Sequence, residues 1–461
     1  MISAVKVLER RQVSPPPGSV PPATLSLTFF DGLWLPMLSL VRRLFFYDLP
    51  AGTSTDDFRR SHLPLLERSL SLALSVYYPL AGRFVRKPDS DLGDGVIRYS
   101  DGDSVSLTVA ESDADFAGLV ANRPKEAKEF HSLVPPLLPE SSSNDMPLVA
   151  FQVTVFPGSG VAIGIVLNHV VADGKSSTDF MKSWASIANA NGDVSAVKSI
   201  PVFDRTLVGD LEGLKRRFLE DAKKLAAAMG GAPPSESATE EARPVQLNRV
   251  IRSTFVLTRA DIDKIRVKIS SESKATSLKL SALVVTYAYV LHCAAKSRES
   301  PDQSAKNVYF GIMADSRPRL QPPVPGTYFG NCVVWRLTAA DGGEVGGENG
   351  FAVAAEAIHG AIRELEDGVL KDAENLIWKW ASLMKERLLT IAGSPRFGVY
   401  EMDFGWGRPR KAEIVSIEDN GAISLCDSRY EEGGIEIGMV GPEEEMSRFA
   451  SAFEEGLRRL I

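Results

Sequence analysis

The residues Ile163-Gly-Ile-Val-Leu-Asn-His169-Val-Val-Ala-Asp173-Gly174 are the centre around which the first half of the chain is organised. Two apolar runs rich in β-forming residues precede or overlap them, LVAFQVTVF at 148–156 and VAIGIVLN at 161–168, with Pro-Gly-Ser-Gly between the two. This order predicts a β-hairpin. Apolar residues then recur at three- and four-residue spacings over 176–190, which predicts an amphipathic helix.

His169 and Asp173 lie where this predicted strand ends and the chain turns into the predicted helix. An imidazole that is held by rigid elements beside a carboxylate is well placed to take a proton from a substrate. The alternative is structural: a histidine at a strand end is often a packed core residue, and aspartate before glycine is a common turn residue. The spacing alone leaves both interpretations open.

Length and composition narrow the class of protein. The 461 residues are enough for two large domains. A net charge of −7 argues against binding to nucleic acid or to an anionic membrane. Cys293, Cys332 and Cys426 are far apart and odd in number, which predicts reduced cysteines and no zinc or disulfide framework. With neither a signal peptide nor an 18-residue apolar run, we expect a soluble, cytoplasmic protein.

Strand and helix patterns alternate in both halves, which predicts an α/β or α+β fold with mixed sheets and two domains. We expect an N-terminal domain over 1–195, a crossover linker over 196–245 and a C-terminal domain over 246–461. The polar stretch GGAPPSESATEEARP at 230–244 supports this boundary. Periodicity further predicts one helix over 55–76 and a long apolar helix over 278–296.

Several familiar motifs are absent or incomplete. Gly174-Lys175-Ser176 imitates the end of a phosphate-binding loop, but that motif needs glycine where His169 stands. The sequence has no G-x-S-x-G elbow, which weighs against a serine hydrolase. No H-E-x-x-H motif and no pair of cysteine and histidine suggests a metal site, so no metal is expected.

A second motif, Asp403-Phe404-Gly405-Trp406-Gly407, lies far downstream. Two glycines around an aromatic residue predict a tight loop, and taken alone such a loop is more often a packed turn. Together with H-x-x-x-D-G at 169–174, this segment resembles the signature pair of the plant BAHD acyltransferases. That family transfers acyl groups from coenzyme A thioesters to hydroxyls or amines.

The resemblance covers essentially the whole chain. Further landmarks are Thr28-Phe29-Phe30-Asp31 with Trp34-Leu35, Tyr78-Pro-Leu-Ala-Gly-Arg83, Asp315-Ser-Arg317-Pro-Arg319 and Tyr328-Phe-Gly-Asn331-Cys332. The last is similar to a motif of the branch that acylates anthocyanins and other flavonoid or phenolic glycosides. That branch frequently uses malonyl-CoA, and some members use hydroxycinnamoyl-CoA.

The resemblance implies a monomer with two domains like chloramphenicol acetyltransferase. We also consider the exchange of a segment of the second domain back to the first. A solvent channel would run between the domains, with His169 reached from both faces. His169 would act as the general base, and a tight loop or a neighbouring indole would supply donors to the oxyanion. The imidazolium would return its proton to the leaving sulfur, so ternary-complex kinetics without an acyl-enzyme are expected.

The other site residues are expected to support this chemistry. The resemblance implies that Asp173 turns away from the channel and pairs with an arginine, most plausibly Arg317. It also implies structural roles for the motif of Asp403, Phe404, Gly405, Trp406 and Gly407. No resident cofactor is expected, because acyl-CoA is a co-substrate.

Lys274, Ser277 and Lys279, at the start of the predicted long helix, are candidates for the coenzyme A phosphates, since a helix N-terminus attracts anions. The alternative is a solvated lysine-rich loop. A malonyl carboxylate also needs a cation. Lys175 or Lys182 would serve if it faces the acyl pocket, whereas surface exposure is the ordinary fate of either.

Four functions therefore stand beside one another. The favoured one is a malonyltransferase that acts on a sugar hydroxyl of a flavonoid, anthocyanin or phenolic glucoside. A hydroxycinnamoyl-CoA-dependent transferase on the same scaffold is the first alternative. A non-catalytic binding protein that keeps the fold, and a hydrolase of an acyl-CoA or ester, are the others.

Overall fold

The structure is a computed structural model that describes residues 5–35, 39–87, 90, 93–137, 145–210, 213–228, 249–275, 278–297, 307–383, 386, 388–419 and 421–460. The strands, in chain order, are β1 Lys6–Val13, β2 Ala23–Ser26, β3 Leu40–Asp48, β4 Arg83–Arg86, β5 Gly95–Tyr99, β6 Val105–Glu111, β7 Lys125–Glu126, β8 Met146–Pro147, β9 Val149–Phe156, β10 Gly160–Asn168, β11 Val250–Leu257, β12 Asn307–Asp315, β13 Val333–Asp341, β14 Leu388–Gly393, β15 Lys411–Ile414, β16 Ile423–Asp427 and β17 Ile435–Pro442.

The helices alternate with these strands. They are α1 Phe29–Gly32, α2 Thr55–Ser61, α3 Leu63–Val76, α4 Phe116–Val120, α5 Gly174–Asn189, α6 Leu214–Ala228, α7 Arg259–Glu272, α8 Ala282–Lys296, α9 Gly342–Gly346, α10 Gly350–Glu366, α11 Leu376–Ser382 and α12 Glu443–Arg458. Across the described ranges, none of them combines the length and apolar character that a membrane span needs.

The predicted hairpin and the helix after it are present. β9 and β10 pair antiparallel, and every residue of both strands is buried. α5 follows and buries Phe180, Met181, Trp184 and Ile187. The helix begins at Gly174 because Asp173 caps its N-terminus.

Two other helix predictions were wrong at their boundaries. The single helix expected over 55–76 is two helices, α2 and α3, joined at His62. Pro64 lies in the first turn of α3, where its missing N–H is tolerated, and it would break a continuous helix. The long helix expected over 278–296 begins at Ala282, because Ser281 accepts a hydrogen bond from the Val284 N–H and caps it.

The described strands form three mixed or antiparallel sheets. The first has the order β1-β6-β9-β10-β3-β15, and the second has the order β13-β12-β14-β16-β17-β11-β7. A small sheet of order β2-β5-β4-β8 belongs to the first half. The predicted α/β class with mixed sheets is therefore confirmed.

The two halves exchange strands in both directions. β15 comes from the second half of the chain but pairs with β3 in the first sheet, with Lys411 opposite Phe46. β7 comes from the first half but pairs with β11 in the second sheet, with Lys125 opposite Arg252. Each large sheet therefore ends in a strand that belongs to the other half of the sequence.

The predicted linker over 196–245 is packed where the structure describes it. Val208 and two residues of α6, Leu214 and Phe218, lie in one apolar cluster with Phe29 of the first half and Leu376 of the second. Residues 229–248 lie outside the described part of the chain. The domain boundary that we place there stays a prediction.

Two buried ion pairs join the exchanged strand β15 to the second half of the chain. Arg252 lies 3.2 Å from Glu413, and Lys411 lies 3.2 Å from Glu436. Tyr400 donates a hydrogen bond of 2.8 Å to the same Glu436 carboxylate. The side chains of both ion pairs are at most 3% exposed, so an orphaned partner would remain as an uncompensated charge in a low-dielectric interior.

Glu413→Ala should lower the free energy of unfolding by up to about 3–5 kcal/mol, because the buried Arg252 then keeps only Glu418, 3.7 Å away, as a carboxylate partner. The midpoint of urea unfolding measures the loss. Glu454→Ala is the matched control, since its ion pair with Arg458 is 71% exposed on both sides and should change the stability by less than about 1 kcal/mol. Equal effects of the two substitutions would show that β15 is not held by these charges.

Candidate active site

His169 lies directly after the last residue of β10, at the carboxyl end of a fully buried strand. Its backbone N–H donates to the Ser39 carbonyl at 2.9 Å, just before β3 begins. The side chain of Asn168 accepts a hydrogen bond from the Val170 N–H at 3.1 Å. These contacts hold the backbone of His169 against the sheet.

Asp173 ends the turn that follows His169, and all its hydrogen bonds are structural. One carboxylate oxygen accepts from the Ser176 N–H at 2.9 Å and caps α5. The other accepts from the Cys332 N–H at 3.1 Å and lies 2.9 Å from the Arg317 guanidinium. Asp173 and Arg317 are both about 1% exposed. The predicted partner is therefore in place, and the carboxylate joins the first half of the chain to the second.

Arg317 organises the loop that brings Asn331 to the site. Its guanidinium donates to the carbonyls of Tyr328 and Gly330 at 3.0 and 3.1 Å. It also donates to the Ser176 hydroxyl at 3.0 Å. Burial lowers the pKa of Arg317, but the charges of Asp173 and Asp315 outweigh it and raise the pKa above the ordinary value. The charged pair is thus stable in the interior.

Asn331 sets the tautomer of His169. Its amide nitrogen donates to the His169 carbonyl at 2.8 Å and to the Asp31 carboxylate at 2.9 Å. The amide oxygen therefore faces His169 Nδ1, at 3.1 Å. An oxygen acceptor requires that Nδ1 carries the proton, and a neutral ring then has its lone pair on Nε2.

Asp31 anchors Asn331 from behind. The Asp31 carboxylate is fully buried and accepts from the Thr28 N–H at 2.7 Å as well as from Asn331. Arg205 of the crossover segment lies 3.7 Å from it and donates to the Tyr328 hydroxyl at 2.8 Å. The crossover segment thus reaches the residues that orient the imidazole.

Trp34 covers one face of the His169 imidazole. The two ring centroids are 3.6 Å apart and the planes differ by 11°, which is a stacked arrangement. Trp335 meets Trp34 nearly at right angles, with centroids 5.1 Å apart. The Trp34 Nε1 atom is buried and has no hydrogen-bond partner in the described part of the chain.

The environment keeps His169 neutral. Burial lowers its pKa below the ordinary 6.5, while Asp173, the Asn331 hydrogen bond and Asp31 oppose that shift. The imidazole is therefore mainly unprotonated at pH 7. A neutral ring with a lone pair on Nε2 is the form that a general base requires.

The motif at 403–407 builds a loop that packs away from His169. One Asp403 carboxylate oxygen accepts from the N–H groups of Gly405 and Gly407 at 2.7 and 2.8 Å. Both glycines have positive φ, +97° and +88°, which favours residues without a Cβ. Phe404 is buried edge-on against Trp184.

Trp406 completes this packing. Its Nε1 donates to His62 Nδ1 at 3.2 Å, and its ring lies against Tyr47 and Phe58. Within the described part of the chain, no hydrogen bond or ring contact of the motif reaches His169. Through these contacts the motif packs against α2 and α5 and supports them.

The candidate coenzyme A residues do not occupy a helix N-terminus. Lys274 and Lys279 are exposed in the segment before α8, which Ser281 caps, and Lys279 lies 3.6 Å from Glu366. The helix-terminus reason for choosing them was therefore wrong. Ser277 lies outside the described residues. A role of these residues in binding coenzyme A stays a prediction.

Both candidate cations for an acyl carboxylate are already paired. Lys175 lies 2.6 Å from Asp179, one turn along α5. Lys182 lies 2.9 Å from Glu401. All four side chains are partly exposed or exposed, so these are surface ion pairs of small energetic weight.

Three residues of the site received no role from sequence reasoning: Asp31, Trp34 and Asn331. All three stand in quoted landmarks, as a carboxylate, an indole and an amide among apolar neighbours. That polarity was the available signal. Their convergence on His169 depends on a contact between Asp31 and Asn331 across 300 residues, which no local pattern specifies.

The chain is similar to known proteins over nearly its whole length. A family model described as the Transferase family matches residues 4–456. The Malonyl-coenzyme:anthocyanin 5-O-glucoside-6'''-O-malonyltransferase of Salvia splendens is 36% identical over 99% of this chain and 96% of its own. Phenolic glucoside malonyltransferase 1 of Arabidopsis thaliana is 37% identical over 99% and 98%.

A relative with a different acyl donor in its name is also similar. Coumaroyl-CoA:anthocyanidin 3-O-glucoside-6''-O-coumaroyltransferase 1 of Arabidopsis thaliana is 34% identical over 98% of both chains. Among solved structures, vinorine synthase has a TM-score of 0.67 and 22% identity over 96% of both chains. The fold is thus the two-domain fold resembling chloramphenicol acetyltransferase.

Asp173→Asn should destabilise the protein by up to about 3–5 kcal/mol, because Arg317 loses its buried counter-charge and keeps only Asp315, which lies 3.0 Å away and is 41% exposed. Asp173→Ala should cost about 0.5–2 kcal/mol more, since the cap of α5 is lost as well. Urea unfolding of both variants, beside acyltransferase activity, measures the order. A loss of activity with unchanged stability in Asp173→Asn would instead assign the carboxylate a direct chemical role.

Proposed function

Because this chain belongs to the plant BAHD acyltransferase family, we propose that it transfers malonyl from malonyl-CoA to a sugar hydroxyl of a flavonoid, anthocyanin or phenolic glucoside. The chain is an acyltransferase, and its relatives use acyl-CoA as co-substrate. The proposed parts are the donor, the acceptor and the mechanism. Relatives named as malonyltransferases of such glucosides, at 36% and 37% identity over nearly the whole chain, support the choice.

The observation that carries the mechanism is the hydrogen bond between His169 Nδ1 and the Asn331 side-chain oxygen, at 3.1 Å. It leaves the Nε2 lone pair to take the proton of the sugar hydroxyl as that oxygen attacks the thioester carbonyl. The tetrahedral intermediate then collapses, the carbon–sulfur bond breaks, and the imidazolium protonates the leaving coenzyme A sulfur. No acyl-enzyme forms, so both substrates bind before reaction.

The oxyanion of the intermediate needs a hydrogen-bond donor. In the tight loop at 403–407, neither glycine N–H is available to the oxyanion, because Asp403 accepts a hydrogen bond from each of them. Its indole is also engaged, with His62. We assign the role to the Trp34 indole, which stacks on His169 and whose buried N–H has no partner among the described residues.

A hydroxycinnamoyl donor is the second candidate, and two observations favour it. The 34% identical relative is named as a coumaroyltransferase. Lys175 and Lys182, the cations considered for a malonyl carboxylate, already pair with Asp179 and Glu401. A malonyl group that used either lysine would compete with a carboxylate of the protein.

The deciding experiment is thiol release from a panel of acyl-CoAs, with and without a flavonoid glucoside, for the wild type and His169→Ala. Acceptor-dependent release with malonyl-CoA should fall by about 10²–10⁴-fold in the variant, the usual contribution of a general base. Release with coumaroyl-CoA or caffeoyl-CoA only would overturn the donor and keep the mechanism. Thiol release that needs no acceptor would indicate a hydrolase. No release with any pair would favour a binding protein.

The acid limb of the pH–rate profile should report His169. Because burial lowers its pKa, kcat/KM should rise with pH to a plateau with a midpoint below 6.5. Asn331→Ala should move the midpoint to lower pH, since the hydrogen bond to Asn331 raises the pKa of His169. It should also lower kcat, by less than His169→Ala does.

Asn375→Ala is the matched control for this profile. Its side chain contacts Glu374 and not the site, so kcat and the midpoint should be unchanged. An acid limb with the same midpoint in wild type and Asn331→Ala would contradict the assigned tautomer. A limb that persists in residual activity of His169→Ala would assign the titration to another group.

A further inference from the structure

The Trp34–His169 stack places an aromatic face against a ring that gains a positive charge during the proposed reaction. The centroids are 3.6 Å apart and the planes nearly parallel, at 11°. The face of an indole carries partial negative charge and attracts cations most strongly among the aromatic side chains. The same contact is therefore stronger with imidazolium than with neutral imidazole.

The acidic groups near His169 are already partnered with arginines. Asp173, at the start of α5, lies 2.9 Å from Arg317. Asp31, in α1, lies 3.7 Å from Arg205. Each carboxylate is thus offset by a guanidinium that is itself buried, which weakens its attraction for a proton on the imidazole. No aspartate or glutamate hydrogen-bonds to the His169 ring in the described part of the chain.

Trp34 is held in this position by its own packing. Its ring meets Trp335 at 81° with centroids 5.1 Å apart, and it lies against the apolar cluster that includes Phe29 and Leu33. This support prevents the indole from turning away when the charge on His169 changes. The stack is a fixed part of the site, not a surface contact.

We propose that the π face of Trp34 stabilises the imidazolium of His169 when that ring has taken the substrate proton. An interaction that strengthens as the charge develops lowers the barrier without tightening the binding of the ground state. The role in turnover rests on the proposed acyl transfer. The effect on protonation of His169 does not, because it exists in the free protein.

The direction in which the protonation midpoint of His169 shifts distinguishes this role from simple packing. Trp34→Leu removes the π face, so the imidazolium loses support and the protonation midpoint of His169 should move to lower pH. Trp34→Leu also admits water beside the ring, and reduced desolvation alone would move the midpoint to higher pH. The two explanations therefore predict shifts in opposite directions.

The experiment is an NMR titration of histidine ring signals in the full-length protein without substrates. The His169 signal is identified by its loss in His169→Gln, since the chain has 5 histidines. In Trp34→Leu we expect a midpoint lower by roughly one pH unit, the equivalent of a desolvated cation–π contact. Trp34→Phe keeps an aromatic face and should shift less.

Trp378→Leu is the matched control, because it makes the same substitution at an indole that is 42% exposed and has no ring contact with Trp34 or His169 in the described part of the chain. Its midpoint should stay within a few tenths of a pH unit of the wild type. A His169 midpoint that rises or stays constant in Trp34→Leu, while urea unfolding shows a folded protein, overturns the proposal. This result does not depend on finding the acyl donor or acceptor.

Turnover supplies the second readout. With the donor and acceptor established by thiol release, Trp34→Leu should lower kcat by more than the roughly 2- to 30-fold that the lost π face contributes, because the N–H assigned to the oxyanion is lost as well, and KM should change little. Trp34→Phe separates the two roles of the indole. It should keep the protonation midpoint near that of the wild type while losing the N–H that we assign to the oxyanion, so its kcat falls without the shift. An unchanged kcat in Trp34→Leu would overturn the catalytic role.

Discussion

The buried ion pair between Asp173 and Arg317 is the interaction on which the site depends. Asp173 ends the turn after His169, and Arg317 holds the carbonyls of the loop that carries Asn331. The same carboxylate accepts from the Cys332 N–H, next to Asn331. One charge pair therefore fixes the base and the residue that orients it, although they come from different halves of the chain.

Local elements of the fold could be predicted because neighbouring residues determine them. The hairpin of β9 and β10 follows from two apolar runs and a Pro-Gly turn, and α5 follows from apolar spacing and the cap at Asp173. The strand exchange could not be predicted. The pairing of β15 with β3 joins segments far apart in sequence, and periodicity carries no information about which strand is the neighbour.

The sequence likewise predicts only some of the residues of the candidate site. His169 and Asp173 were found from one short motif, since both lie in a single turn. The side chains that give the imidazole its tautomer and cover its face, Asn331 and Trp34, come from two other segments. The motif at 403–407 is as distinctive in sequence, yet its polar groups form hydrogen bonds within its own turn and with His62. A distinctive sequence motif can therefore reflect a backbone conformation that few residues adopt, and not only a catalytic role.

The exchange of strands also has a consequence for biosynthesis. β3 leaves the ribosome early, but the strand that covers its outer edge is made far later, since 362 residues separate Asp48 from Arg410. At ordinary rates of translation this interval is roughly 20–70 s. During this interval the edge of β3, which is buried in the complete fold, has no strand paired with it. The first half cannot complete its own sheet, so its final folding awaits the synthesis of residues 411–414.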